Sequence, residues 1–129
     1  MINLNRDMTH FAQELYKLLS GLHSESFLST NTKRTVVYPY LTYTFSSEEL
    51  EPPQEGFYLD LDLFDYGSSY GNLMQLEGLL KSNLARHRFF TDKAHFRFTF
   101  NRAGEVRTAD ENIKRRNMQF YIKIDWRDV

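Results

Sequence analysis

The strongest alternation of apolar and polar positions lies near the end of the chain, where Met118, Phe120, Ile122, Ile124 and Trp126 interleave with Gln119, Tyr121, Lys123 and Asp125. A period of two puts one set on each face of a strand. Fully burying a large apolar side chain contributes about 1.5–3 kcal/mol, so this face is worth on the order of 10 kcal/mol before chain entropy is subtracted. Such a strand needs partners, and three earlier stretches offer them. Residues 35–45, TVVYPYLTYTF, are β-branched and aromatic, with Val37, Leu41, Tyr43 and Phe45 on one face. Pro39 cannot donate to a ladder, which predicts an edge or bulged strand there. Residues 57–66, FYLDLDLFDY, set Phe57, Leu59, Leu61 and Leu63 inward, and residues 95–101 set Phe96, Phe98 and Phe100 against Arg97 and Thr99.

Two stretches carry helical spacing instead. Met8, Phe11, Ala12, Leu15, Leu18, Leu19 and Leu22 predict a helix over about 5–22, and Leu73, Leu76, Leu79, Leu80 and Leu84 predict another over about 70–87. Lys81, Arg86, His87 and Arg88 gather at the end of the second, where positive charge suits the helix dipole. Residues 23–34 read as a connection, residues 46–56 (SSEELEPPQEG) as an exposed acidic loop broken by Pro52-Pro53, and residues 101–114 as a long loop of mixed charge. The predicted order is helix, strand, strand, helix, strand, strand. The expectation is a single two-layer α+β domain over residues 1–129, with a mainly antiparallel four-stranded sheet and both helices on one face.

Composition narrows the chemistry. With no cysteine among 129 residues, disulfides, thiol catalysis and the usual zinc ligands are absent. Sixteen basic residues against seventeen acidic ones leave a formal charge of −1, which gives no general attraction to nucleic acid or an anionic membrane. No apolar run approaches a membrane span and the opening MINLNRDMTHF lacks signal-peptide layout, so a cytoplasmic site of synthesis and assembly is expected.

Few residues are spaced for reactive chemistry. Asp60 and Asp62 point the same way from one strand and are candidates for a divalent cation or an acid pair, but no third ligand sits at a completing distance. Ion pairing across the sheet with Arg97 or Lys123 is the simpler expectation. His10, His23, His87 and His95 lie in four different segments with no ligand spacing between them. There is neither a Gly-x-Ser-x-Gly elbow nor a glycine-rich phosphate loop. Arg102, Arg107, Lys114, Arg115 and Arg116 form the densest basic region, interleaved with Glu105, Asp110 and Glu111. No cofactor is expected.

Aromatic residues, 16% of the chain, carry the clearest signal. On the strand phases above, Tyr38, Tyr40, Tyr58, Phe64, Tyr66 and Tyr121 all face away from the helices, among Thr42, Thr44, Gln119, Asp60, Asp62 and Lys123. Rings inside a polar rim are what protein interfaces are enriched in. The competing reading has some of these rings covering their own sheet.

The segments VVYPYLTYTF, YLDLDLFDYG, NLMQLEGLLKSNL and RRNMQFYIKIDW, in that order, resemble the tail terminator and tail-completion proteins of long-tailed phages and prophages. The points of likeness are Tyr38-Pro39, the strand-to-helix passage over 59–84 and Arg115-Arg116. The resemblance implies a non-enzymatic virion subunit forming a hexameric ring at the head-proximal end of the tail tube. Such a ring stops tube growth, joins the tail to the head connector or head-closure protein, and lets DNA through its lumen without specific binding. Expected subunit or tube contacts are Tyr38, Tyr40, Tyr58, Phe64, Tyr66, Tyr121, Glu48, Glu49, Glu51, Arg107, Arg115 and Arg116. A head-closure or connector subunit is the neighbouring alternative, and a metal-dependent hydrolase using Asp60 and Asp62 the more distant one.

Overall fold

The terminal strand holds the sheet together. In the computed structural model, which describes residues 6–127, the apolar residues of β6 (Ile113–Trp126) that alternate from Met118 onward are all at most 2% exposed. Along one side β6 pairs antiparallel with β3 (Gln54–Tyr66) from Gln54↔Asp125 to Tyr66↔Ile113, and along the other with β5 (Ala94–Val106). β2 (Tyr40–Glu49) extends the sheet beyond β3, antiparallel. α1 (Met8–Leu22) and α2 (Gly71–Leu84) bury Phe11, Leu15, Leu19, Leu73, Leu76, Leu80 and Leu84 in the same apolar cluster as Phe57, Leu59, Leu61, Leu63 and Phe96. Phe11 stacks on Phe57 with ring centres 4.3 Å apart.

The architecture departs from the four-stranded expectation. The described residues form six strands, in the order β1-β2-β3-β6-β5-β4, and the sheet is mixed because β1 (Ser26–Leu28) runs parallel to β2. β1 and β4 (Arg88–Phe90) are three-residue strands that close the two edges, so the chain order is α-β-β-β-α-β-β-β. Strands that short carry no readable period, and β1 is tied to β2 by the Leu41 N–H donating to the Glu25 carbonyl and the Ser29 N–H donating to the Tyr43 carbonyl.

Both predicted long loops are largely strand. β2 runs on to Glu49 and β3 begins at Gln54, leaving a short turn around Pro52-Pro53, and Glu55 is buried with its Oε1 accepting from Trp126 Nε1 at 2.9 Å. β5 likewise continues to Val106 and β6 starts at Ile113, so only 107–112 lie between them. A bulge between Phe100 and Arg102 shifts the register and resets which side chains face outward, which breaks the alternation that would have marked the strand. Pro39 sits one residue before β2, so β2 loses no ladder bond and takes an interior place between β1 and β3. The first helix starts at Met8, with Asp7 capping it by accepting from His10 N, and the start expected at Asn5 lies outside the described residues. The second ends at Leu84, which leaves Arg86, His87 and Arg88 beyond it.

Candidate assembly surface

Register fixes the face of the sheet opposite the helices as a set of rows running across the strands. Tyr40, Phe64, Arg115 and Val106 make one row, Thr42, Asp62, Asn117 and Gly104 the next, then Thr44, Asp60, Gln119 and Arg102. Ser46, Tyr58, Tyr121 and Thr99 follow, and Glu48, Gly56, Lys123, Arg97 and Arg88 complete the series.

The first row anchors an aromatic cluster. Tyr40 stacks on Phe64 at 4.8 Å, Tyr38 lies 5.5 Å from Tyr40 and 6.0 Å from Tyr66, and the Arg115 guanidinium sits 5.3 Å from the centre of the Phe64 ring. Burial pushes the Tyr40 hydroxyl up, and the neighbouring Tyr38 adds to the shift. Tyr66 is 57% exposed and Tyr38 38%, next to exposed Val36 and Val37. Among the described residues, this end of the face therefore carries exposed apolar surface.

The second ring cluster is spent on its own sheet. Tyr58 and Tyr121 meet edge-on at 5.0 Å, and both hydroxyls donate to Glu48, at 3.3 and 2.8 Å. The Tyr121 ring passes over Gly56 so closely that a Cβ there would lie 1.9 Å from its hydroxyl oxygen. Burial, reinforced by the hydrogen bond to Glu48 and by its charge, pushes Tyr121 up to about 12. Tyr58 is raised as well, chiefly by the Glu48 charge.

Between the clusters runs a polar belt that satisfies itself. Asp62 accepts from Arg115 Nη2 at 3.0 Å and from Asn117 at 3.2 Å, and Asp60 from Gln119 at 3.4 Å. The anticipated partners Arg97 and Lys123 lie two rows from Asp60 and three from Asp62, and Arg97 pairs with Asp125 instead, at 3.0 Å. Among the described residues no group of three potential metal ligands forms. The histidines stay apart: His10 meets Thr91, and His23 the Pro39 carbonyl.

The remaining expected contacts scatter. Arg116 points to the helix side, where Glu77 accepts from its Nε at 2.6 Å. Arg107 is exposed in the 107–112 turn. Glu49 pairs with Arg6, and Glu51 is exposed in the turn after β2. The sequence reading passed over one grouping entirely. Arg86, His87 and Arg88 come alongside Arg97, Lys123 and Tyr121 to line an open cavity of about 770 Å³. The Arg-His-Arg triplet was the visible signal, but at the end of a helical stripe it reads as charge placed for the dipole.

These features describe a layered sheet-and-helix domain whose face opposite the helices carries rings, carboxylates and guanidiniums that no described element covers. No helix among the described residues is long and apolar enough to cross a membrane. No family model and no curated protein matches the chain. Among solved structures the chain is similar in fold to a protein from the virion of a native gene transfer agent particle, with a TM-score of 0.68 and 11% identity, over 88% of this chain and 90% of that one.

Proposed function

We propose that this chain is a structural subunit of a phage-type virion, with a tail terminator's task. Copies close into a six-membered ring on the head-proximal end of the tail tube, stop its growth and present the tail to the head connector, while DNA passes through the lumen. The observation that carries this reading is the fold shared with the gene transfer agent virion protein over nearly the full length of both chains. The uncovered sheet face supports it independently: its rings at Tyr38, Tyr40, Phe64 and Tyr66 are grouped and partly exposed. Aromatic rings inside a polar rim are the composition that protein interfaces are enriched in.

A ring has head-to-tail contacts, so each subunit needs two different surfaces. The hairpin acids Glu48, Glu49 and Glu51 belong to one in this proposal and Arg107, exposed in the 107–112 turn, to the other, while Arg115 and Arg116 are engaged within the chain by Asp62 and Glu77. No step of the proposed task needs a catalytic group or cofactor.

Sedimentation velocity and negative-stain micrographs of the purified protein, alone and with tail tube protein, test the reading. Rings of tail width, or caps on tube ends, are expected. A monomer at high concentration that ignores tubes would refute it, and binding to head connectors without tubes would assign the subunit to head closure instead.

A further inference from the structure

Lys123, Arg97 and Arg88 stand in one row on three adjacent strands, each directly opposite the next. Like charges placed opposite one another across a ladder destabilise a sheet, so folding alone gives no reason for this row. Arg86 and His87 arrive beside it on the segment after α2. One described carboxylate answers the group: Asp125 Oδ2 accepts from Arg97 Nη2 at 3.0 Å, while Arg97 Nε finds no acceptor. Arg86, Arg88 and Lys123 form no ion pair among the described residues.

The matching excess of acid lies on the opposite flank of the same sheet. Glu48, Glu49 and Glu51 crowd the β2–β3 hairpin; Arg6 pairs with Glu49, Glu48 accepts from two tyrosine hydroxyls, and neither Glu48 nor Glu51 has a basic partner among the described residues. β2 and β4 are four strand positions apart, roughly 19 Å at a spacing of about 4.8 Å. Glu48 nevertheless shares its row with Lys123, Arg97 and Arg88, so acid and base stand at one height along the strands.

Resting on the ring reading above, we propose that the cavity lined by Arg86, His87, Arg88, Arg97 and Lys123 receives the acidic β2–β3 hairpin of a second copy of this chain. Opposite charges at one height on opposite flanks meet when neighbours are related by rotation with little rise, which is the condition for a closed ring and not an open helix. Near-zero net charge with segregated patches favours this self-complementary use over general attraction to a polyanion.

Charge exchange tests the pairing. Arg86→Glu with Arg88→Glu reverses the cavity, and Glu49→Lys with Glu51→Lys reverses the hairpin. Circular dichroism confirms folding, with Arg86→Gln/Arg88→Gln and Glu51→Lys alone as milder versions. In sedimentation velocity each reversed variant by itself should associate at least tenfold more weakly than the parent, and the parent should weaken as salt rises. An equimolar mixture of the two reversed variants should form rings again, since each reversed surface then faces its complement.

Rings that persist in either reversed variant, or a mixture that stays dissociated, would overturn the pairing while leaving the ring itself standing. A cavity-reversed variant that keeps its ring but no longer retains a duplex oligonucleotide would give the cations to phosphate and overturn it too. A parent protein that never forms rings would remove both this inference and the reading on which it rests.

Discussion

Gly56 is the position at which one added methyl group should reveal how the uncovered face is built. The residue is buried because the Tyr121 ring lies across it to reach Glu48 on the strand beyond. A Cβ at this point would stand 1.9 Å from the Tyr121 hydroxyl oxygen and 2.6 Å from the ring carbon bearing it, so Gly56→Ala must expel the ring. The expelled ring gives up its edge contact with Tyr58, worth about 0.5–1.5 kcal/mol, and its hydrogen bond to Glu48, worth about as much at a partly exposed site. Removing glycine freedom from the unfolded chain returns about 0.4–1 kcal/mol. The net expectation is a loss of about 1–2 kcal/mol. In a Tyr121→Ala background nothing remains to be expelled, and the same substitution should be neutral or stabilising by about 0.5 kcal/mol.

Urea unfolding followed by circular dichroism measures both, at concentrations low enough that the midpoint no longer depends on protein concentration. The double-mutant cycle should show coupling of about 2 kcal/mol between positions 56 and 121. An equal cost of Gly56→Ala in both backgrounds would refute the reasoning, because the ring would then not be what fills the space above the glycine.

The late ionisation of Tyr121, up to about 12, should appear in a spectrophotometric tyrosine titration, and Glu48→Gln should lower it together with that of Tyr58 by removing the charge both hydroxyls face. Because the folded state holds this proton more tightly than the unfolded one, the linked stability is full below a pH of about 10 and is lost as pH rises toward 12. Glu55→Ala strands the buried Trp126 N–H and should cost about 1–3 kcal/mol in chemical denaturation, whereas Glu55→Gln keeps an acceptor and should cost less. Glu77→Ala leaves the Arg116 side chain, 16% exposed, without its carboxylate and should cost about 1–3 kcal/mol, more than the joint replacement Glu77→Leu with Arg116→Met measured by the same unfolding assay.

The parts of this fold that were readable in the sequence are those fixed by local period. The inward residues of β3 and the Met118 to Trp126 stretch are buried as their alternation requires, and the leucine stripes form α1 and α2. What stayed hidden was settled by contacts between distant segments. Glu48 and Glu55 lie within an acidic, proline-bearing stretch, yet both belong to strands, because Tyr121 and Trp126 on β6 supply their hydrogen-bond donors. Arg102 to Val106 reads as loop because the bulge beside Asn101 moves the apolar positions out of phase. Arg115 and Arg116 look alike in sequence but face opposite sides of the sheet, one toward Asp62 and the other toward Glu77. The basic cavity escaped notice because its cations come from three separated segments that only the sheet order brings together.

That layout also says where contact can add the most. The middle of the uncovered face has little left to offer a partner, since Asp60, Asp62, Arg115, Asn117 and Gln119 already answer one another, and Tyr58 with Tyr121 cover their own strands. Replacing bonds already made inside the subunit with bonds to a partner returns little net free energy. Unspent capacity sits toward the margins: exposed rings at Tyr38 and Tyr66, Glu51 in the β2–β3 turn, and the Arg86 and Arg88 cations beside β4. A subunit whose centre is self-satisfied and whose margins are not is better suited to neighbours at its flanks than to a ligand seated at its middle. The proposed ring would set those margins against its neighbours, where the described residues leave Tyr38, Tyr66, Arg86 and Arg88 open.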